Sequence, residues 1–160
     1  MKETEPQADI LGEICPGIGH LVHVPSHVYI QIGKYQKSIE SNQKAVMADL
    51  QYVERSGRDN FYTKYCAHNY HFILTSAMFL GDWKTANKAS RDILSEIPYS
   101  SLRTLPEIFE AFMSVYIHAY IRFGKWDEIL EDPIEEDTEI FPVKIAFQHY
   151  ARALAYGPIE

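Results

Sequence analysis

The side chains of this 160-residue sequence best suited to chemistry are its seven histidines, and six of them are regularly spaced. His20, His23 and His27 fall in HLVHVPSH, His68 and His71 in HNYH, and His118 stands further on. Residues three or four apart on a helix project from one face, so each HxxH pair presents two imidazoles together. Neutral imidazole is a ligand for zinc, copper, iron or nickel alike. The helical HExxH of zinc proteases, which adds a general-base glutamate, is absent, as are a glycine-rich phosphate loop, a GxSxG elbow and a dinucleotide fingerprint. No catalytic motif is assignable, so binding is expected rather than catalysis.

The elements that must position these imidazoles are marked by punctuation. Gly33-Lys34-Tyr35, Gly81-Asp82-Trp83 and Gly124-Lys125-Trp126 each place a glycine two residues before an aromatic, between apolar helical patterns. A glycine closes a helix in the left-handed conformation, and the aromatic folds back over the joint. Counting back from these glycines, His20 and His68 stand thirteen residues earlier, His23 and His71 ten, and His27 and His118 six. Aligned on the corners, the six fall into shared columns. His20, His23, His68 and His71 are therefore expected to converge from helices packed roughly 8 to 10 Å apart and to share a metal at about 2.0 to 2.1 Å, with His27 as an extra ligand or a support. The competing expectation is ordinary polar residues, hydrogen-bonded to Asn69, Tyr29, Tyr70 or backbone carbonyls.

The periodicity predicts an all-α chain of about seven helices. Residues 1–19 are a lead or cap whose apolar ADILGEIC is one helical turn or an extended stretch before Pro16-Gly17. Pro25 interrupts the pattern that follows, so regular helix is expected from Pro25, with His20 and His23 on a preceding turn or kinked extension. Hairpins are predicted over about 20–55, 60–98 and 105–132, with a terminal helix over 142–157. The inward residues include Ile39, Val46, Leu50 and Val53 in the second helix, Tyr70, Ile73, Leu74 and Ala77 in the third, and Ala86, Ala89, Ile93 and Ile97 in the fourth. Asn60 is the expected cap of the third helix, residues 99–104 a loop, and EDPIEEDTE an acidic loop.

Small residue, glycine, aromatic, small residue and closing proline together resemble the tetratricopeptide repeat. Tyr70, Ile73, Leu74, Ala77, Gly81, Trp83, Ala86 and Pro98 match it best. The first copy puts Ser38 where a small alanine is usual and Asn42 where an aromatic is usual; in the third, Ile129 and Pro133 depart from the pattern. HLVHVPSHVYIQIGKY with the later HNYHF is similar to bacterial tetratricopeptide-like proteins that carry HxxHxPxH and HNxH segments. The resemblance covers about residues 18–157, and Gly157-Pro158 looks like the start of a further corner. It implies a right-handed α-α superhelix whose first helices face a concave groove, with His27, Gln31, Thr75, His118 and Arg122 lining it beside the histidine ligands. A protein segment, an extended peptide or a small ligand is the implied occupant. A metal-binding protein or metalloenzyme is the alternative, and a self-assembling architectural module the third reading.

Composition bounds these readings. A 46% hydrophobic and 13% aromatic content suffices for one compact domain. A net charge of −7 disfavours a nucleic-acid partner, because phosphate binding needs a basic surface. Cys15 and Cys66 have no paired spacing, so no disulfide framework or CxxC site is suggested, and a buried inert thiol is expected at Cys66. An acidic start with no basic, apolar leader pattern and no run of ~20 apolar residues gives the expectation of a cytoplasmic chain off the membrane.

Overall fold

A computed structural model describes residues 4–60 and 62–157, and within them the chain is all helical, without strands. Eleven α-helical segments run in order: α1 (Glu5–Ile14), α2 (Gly19–His23), α3 (Pro25–Gln31), α4 (Tyr35–Ser56), α5 (Thr63–Leu80), α6 (Trp83–Glu96), α7 (Tyr99–Thr104), α8 (Pro106–Phe109), α9 (Val115–Arg122), α10 (Trp126–Glu131) and α11 (Pro142–Ala155). A 3₁₀ turn, Glu110–Ser114, joins α8 to α9. Pro158 lies outside the described residues, so the corner expected at Gly157-Pro158 is not followed further.

The count exceeds seven for local reasons. Residues 5–14 are a full helix with Pro6 in its first turn, where a missing N–H costs nothing. Residues 99–104, expected as a loop, coil into α7 after the extended Pro98. The apolar stretch beyond Pro106 is not one helix but α8, the 3₁₀ turn and α9. The longer predicted helices stand nearly as expected, α4 ending at Ser56 and α6 at Glu96.

Three corners repeat one geometry. Gly33, Gly81 and Gly124 have φ of 75°, 74° and 62°. Just past each, an amide donates back five residues: Lys34 N–H to the Tyr29 carbonyl at 2.8 Å, Asp82 to Ala77 at 2.9 Å, and Lys125 to Tyr120 at 2.8 Å. This is the six-to-one bond of a left-handed helix stop, which satisfies a carbonyl the helix end leaves open. The corner aromatics then reach the next corner. Tyr35 stacks on Phe79 with centroids 4.9 Å apart, and Trp83 packs on Phe123 at 5.3 Å, so successive corners lie against one another.

The core runs through α4, α5 and α6. All four residues expected inward on α5 and all four on the α6 stretch are buried, as are Ile39, Val46 and Val53 of α4, with Leu50 packed at the edge. Alanines 45, 67, 77, 86 and 89 are almost fully enclosed and allow close helix approach. Two buried side-chain bonds cross from α5 to α4: Ser76 Oγ donates to Ser38 Oγ at 2.8 Å and Asn69 Nδ2 to Asp49 Oδ2 at 2.6 Å. Their order reverses between the helices, which fixes α4 and α5 as antiparallel. A smaller cluster around Tyr116, Ile117, Ile129 and Ala151 seats α11 on α9 and α10. The acidic loop is anchored there: Asp132 accepts from Tyr116 Oη at 2.6 Å and from Gln148 Nε2 at 2.8 Å. Among the described residues no helix is long and apolar enough to cross a membrane.

Candidate metal centre

Placing the histidines begins at Gly19. A Cβ there would lie 2.6 Å from the Asp49 carboxyl carbon and 2.8 Å from the Ala45 carbonyl oxygen, so only glycine lets α2 sit this closely on α4. Ser41 Oγ adds a tie from α4, donating to the Val22 carbonyl at 2.6 Å. Held this way, α2 brings His23 inside, fully buried against α4.

Pro25 does not separate His23 from His27. Val24 keeps helical dihedrals (φ −50°, ψ −39°), and Pro25 takes the first position of α3, where its absent N–H is tolerated. His23 and His27, four residues apart, therefore share a face across the junction. Their Nε2 atoms are 3.0 Å apart. His68, from α5, completes the group: its ring centroid is 4.7 Å from that of His23, and one ligand nitrogen from each of His23, His27 and His68 lies within 4.8 Å of the others.

The hydrogen bonds fix which nitrogen is free. Asn42 Nδ2 donates to the Ser38 carbonyl at 2.8 Å, which turns its Oδ1 toward His23 Nδ1 at 2.6 Å. His23 must carry its proton on Nδ1 and donate it to Asn42, leaving the Nε2 lone pair aimed at His27. In the metal-free protein His27 Nε2–H donates into that lone pair. A ligating histidine typically donates its second ring N–H to a fixed acceptor, which sets its tautomer and orientation. Asn42 supplies that acceptor for His23.

Electrostatics favour the neutral rings that metals need. Burial holds the His23 pKa down to about 4, against the pull of the Asn42 hydrogen bond, and burial followed by repulsion from neighbouring imidazoles puts His68 at about 4 as well. His27, more open, is also lowered, first by burial and then by His20. Protons therefore compete little for these lone pairs at neutral pH. Phe72 walls one side of the group, its ring centroid 4.6 Å from His23, 4.6 Å from His27 and 4.8 Å from His68.

The other sequence-predicted residues take different places. His20 is exposed and stacks on the His23 ring at 5.7 Å, with Tyr65 at 5.0 Å. His71 faces Phe112 at 5.9 Å, one helical turn away from the His68 nitrogens. Gln31 and Thr75 line, with His27, Ile30, His71 and Phe72, a cavity of about 320 Å³ between α3 and α5. His118 lies against Phe147 at 4.6 Å, and Arg122 Nε donates to the Met78 carbonyl at 3.3 Å near the end of α5. The convergent set is thus His23, His27 and His68, where spacing had paired His20 with His23 and His68 with His71. Gly19 and Asn42 were not singled out for the site from sequence, although Asn42 stood out as a departure from the repeat pattern.

No family model matches the chain, and neither a curated protein nor a solved structure does.

Proposed function

We propose that this protein is a helical-repeat scaffold that binds one transition-metal ion through His23, His27 and His68. The observation that carries the reading is the pair of Nε2 atoms 3.0 Å apart inside a three-histidine group, with the buried member held in its ligating tautomer by Asn42. Two nitrogens at 2.0 to 2.1 Å from a tetrahedral ion stand about 3.3 to 3.4 Å apart, so His23 and His27 need to separate by only a few tenths of an ångström. Coordination through His27 Nε2 would require that ring to carry its proton on Nδ1, so no net proton need be released from these two rings. An all-nitrogen donor set suits zinc, copper, nickel or iron. Three protein ligands leave a fourth position for water or an exogenous donor, the ligand count of sites that exchange ligands rather than closed structural sites.

A tetratricopeptide-like superhelix is the scaffold we propose for it, supported by the three superposable corners and by aromatic contacts that carry one corner to the next. In that frame α3, α5 and α9 are first helices, and the metal lies at the amino-terminal end of the hollow they face.

The test is metal stoichiometry on protein made without a polyhistidine tag, stripped with chelator and re-equilibrated separately with Zn²⁺, Co²⁺, Ni²⁺ and Cu²⁺. One equivalent of at least one ion is expected in the parent and in His149→Ala, which alters an exposed histidine on α11, while His68→Ala and His23→Ala lose it. At a free metal concentration a hundredfold above Kd, melting should report about 2.7 kcal/mol of added stability. A parent protein that retains no stoichiometric ion under any of the four conditions overturns the proposal.

A further inference from the structure

The cavity between α3 and α5 adjoins the three-histidine group, sharing one residue with it and a wall formed by a second. His27 contributes its imidazole to both, and Phe72, whose ring touches all three histidines, also forms part of the cavity wall. We infer, resting on the metal reading above, that this cavity is a binding site for a small molecule with an uncharged, largely apolar body and one metal-coordinating head group.

The lining determines the class. Ile30 and Phe72 supply the apolar wall, while Gln31, Thr75 and His71 supply hydrogen-bonding groups. Among the described residues, no lysine, arginine, aspartate or glutamate borders the space. His71 is mostly enclosed and its pKa is lowered, chiefly by burial, so it faces the cavity as a neutral donor and acceptor. A charged ligand body would enter without a partner and bear the desolvation cost of an unpaired ion. An anionic head would avoid that cost at the bound ion. The volume of about 320 Å³ lies at the small end of ligand pockets and holds about ten water-sized volumes of ~30 Å³, room for a body of about that many non-hydrogen atoms.

Alkyl hydroxamates test this directly, because the head is constant and the body varies. The Co²⁺-loaded full chain is titrated with acetohydroxamate, butanohydroxamate and hexanohydroxamate, and with a six-carbon hydroxamate bearing a terminal carboxylate, using the cobalt visible spectrum as readout. Each buried methylene is expected to tighten binding about three- to fourfold, so the hexanoyl probe, with four more methylenes, should bind about 80- to 250-fold tighter than the acetyl one. The terminal carboxylate should erase most of that gain. Thr75→Phe, which fills the cavity from α5, should leave Co²⁺ and acetohydroxamate affinity unchanged and remove the chain-length dependence. Gln31→Trp does the same from α3 and serves if Thr75→Phe fails to fold. Intact Co²⁺ binding with equal affinity across the chain lengths overturns this inference and leaves the metal site standing. Absence of stoichiometric binding of all four ions, Zn²⁺, Co²⁺, Ni²⁺ and Cu²⁺, overturns both.

Discussion

Removing the amide that holds His23 tests the proposed centre without touching a ligand. In Asn42→Ala the 2.6 Å bond to His23 Nδ1 and the 2.8 Å bond from Asn42 Nδ2 to the Ser38 carbonyl both vanish. His23 is fully buried, and among the described residues its Nδ1 has besides Asn42 just the long 3.5 Å contact with Ser26 Oγ, so its N–H loses its close acceptor. An orphaned buried donor costs about 1 to 3 kcal/mol, which sets the expected loss of metal-free stability. The ring then escapes by moving its proton to Nε2, onto the nitrogen meant for the ion, and this must be reversed before binding. Loss of such a supporting partner lowers metal affinity about 10- to 100-fold, or about 1.4 to 2.8 kcal/mol. Asn42→Asp separates support from mere packing. Its carboxylate costs stability when buried without metal, yet it accepts the His23 proton through a stronger, charge-assisted bond. Both variants should therefore melt below the parent without metal, while their affinities diverge: weakened in Asn42→Ala, equal to or tighter than the parent in Asn42→Asp. Competition of Zn²⁺ against a chromogenic chelator, with melting curves at each metal concentration, reads both quantities. A folded Asn42→Ala protein with parental affinity, or an aspartate variant weakened as much as the alanine one, would refute the reasoning.

Three further perturbations probe the frame around the site. Burial raises the Asp49 pKa from 3.8 to about 6 despite hydrogen bonds from Tyr62 and Asn69, so this group's contribution is fully present below pH 3.8 and is lost as pH rises through 6. Asp49→Asn should accordingly raise stability by about 2 kcal/mol at pH 8 and by far less at pH 3.5, and a variant less stable than the parent at pH 8 contradicts this. Gly19→Ala drives a Cβ into the Asp49 carboxyl and the Ala45 carbonyl; the strain should cost about 1 to 3 kcal/mol and, by lifting α2 from α4, weaken metal binding, whereas a neutral melting temperature would show that α2 is not seated as described. Cys66 is 1% exposed and burial pushes its thiol up to about 12, while Cys15 is half-buried; a native-state thiol titration should count one fast group, with the second reacting only on unfolding, and two fast groups would be inconsistent with the packing.

How far the sequence could be read follows from which interactions are local. The corners were legible because a left-handed stop needs glycine and the six-to-one bond closes within the same few residues. The buried faces of α5 and α6 were legible because 3.6-residue periodicity is written along one helix. The short helix α7 was not, since YSSLRT carries no strong period and its burial rests on Ser101 and Leu102 alone. The three-histidine group was half legible. Spacing identified the histidine-bearing helices, and two of the residues it named, His23 and His68, meet in this group, but column alignment assumes one helical phase from corner to corner. Val24 remains helical ahead of Pro25, so the phase of α3 extends into α2 and pairs His23 with His27. Across helices, His23 then meets His68 rather than His71.

The two departures from the repeat pattern noted in the first hairpin account for the remainder. Where the pattern has a small alanine, Ser38 offers a carbonyl to Asn42 and a hydroxyl oxygen to Ser76; where it has an aromatic, Asn42 holds His23. A large ring at 42 would fill the joint between helices with apolar area, and a repeat selected for packing alone gains by it. The chain instead buries two polar residues and an imidazole at the same level, each satisfied by the next. A buried polar chain of this kind is costly when one member is missing and orienting when all are present. This one ends at His23 Nε2, which accepts from the His27 imidazole at 3.0 Å. In the reading proposed above, an ion would take the place of the His27 proton at that nitrogen. The two positions that depart from the tetratricopeptide-like expectation are thus hydrogen-bonded to one another in space, and together they orient a histidine group that spacing alone did not assemble.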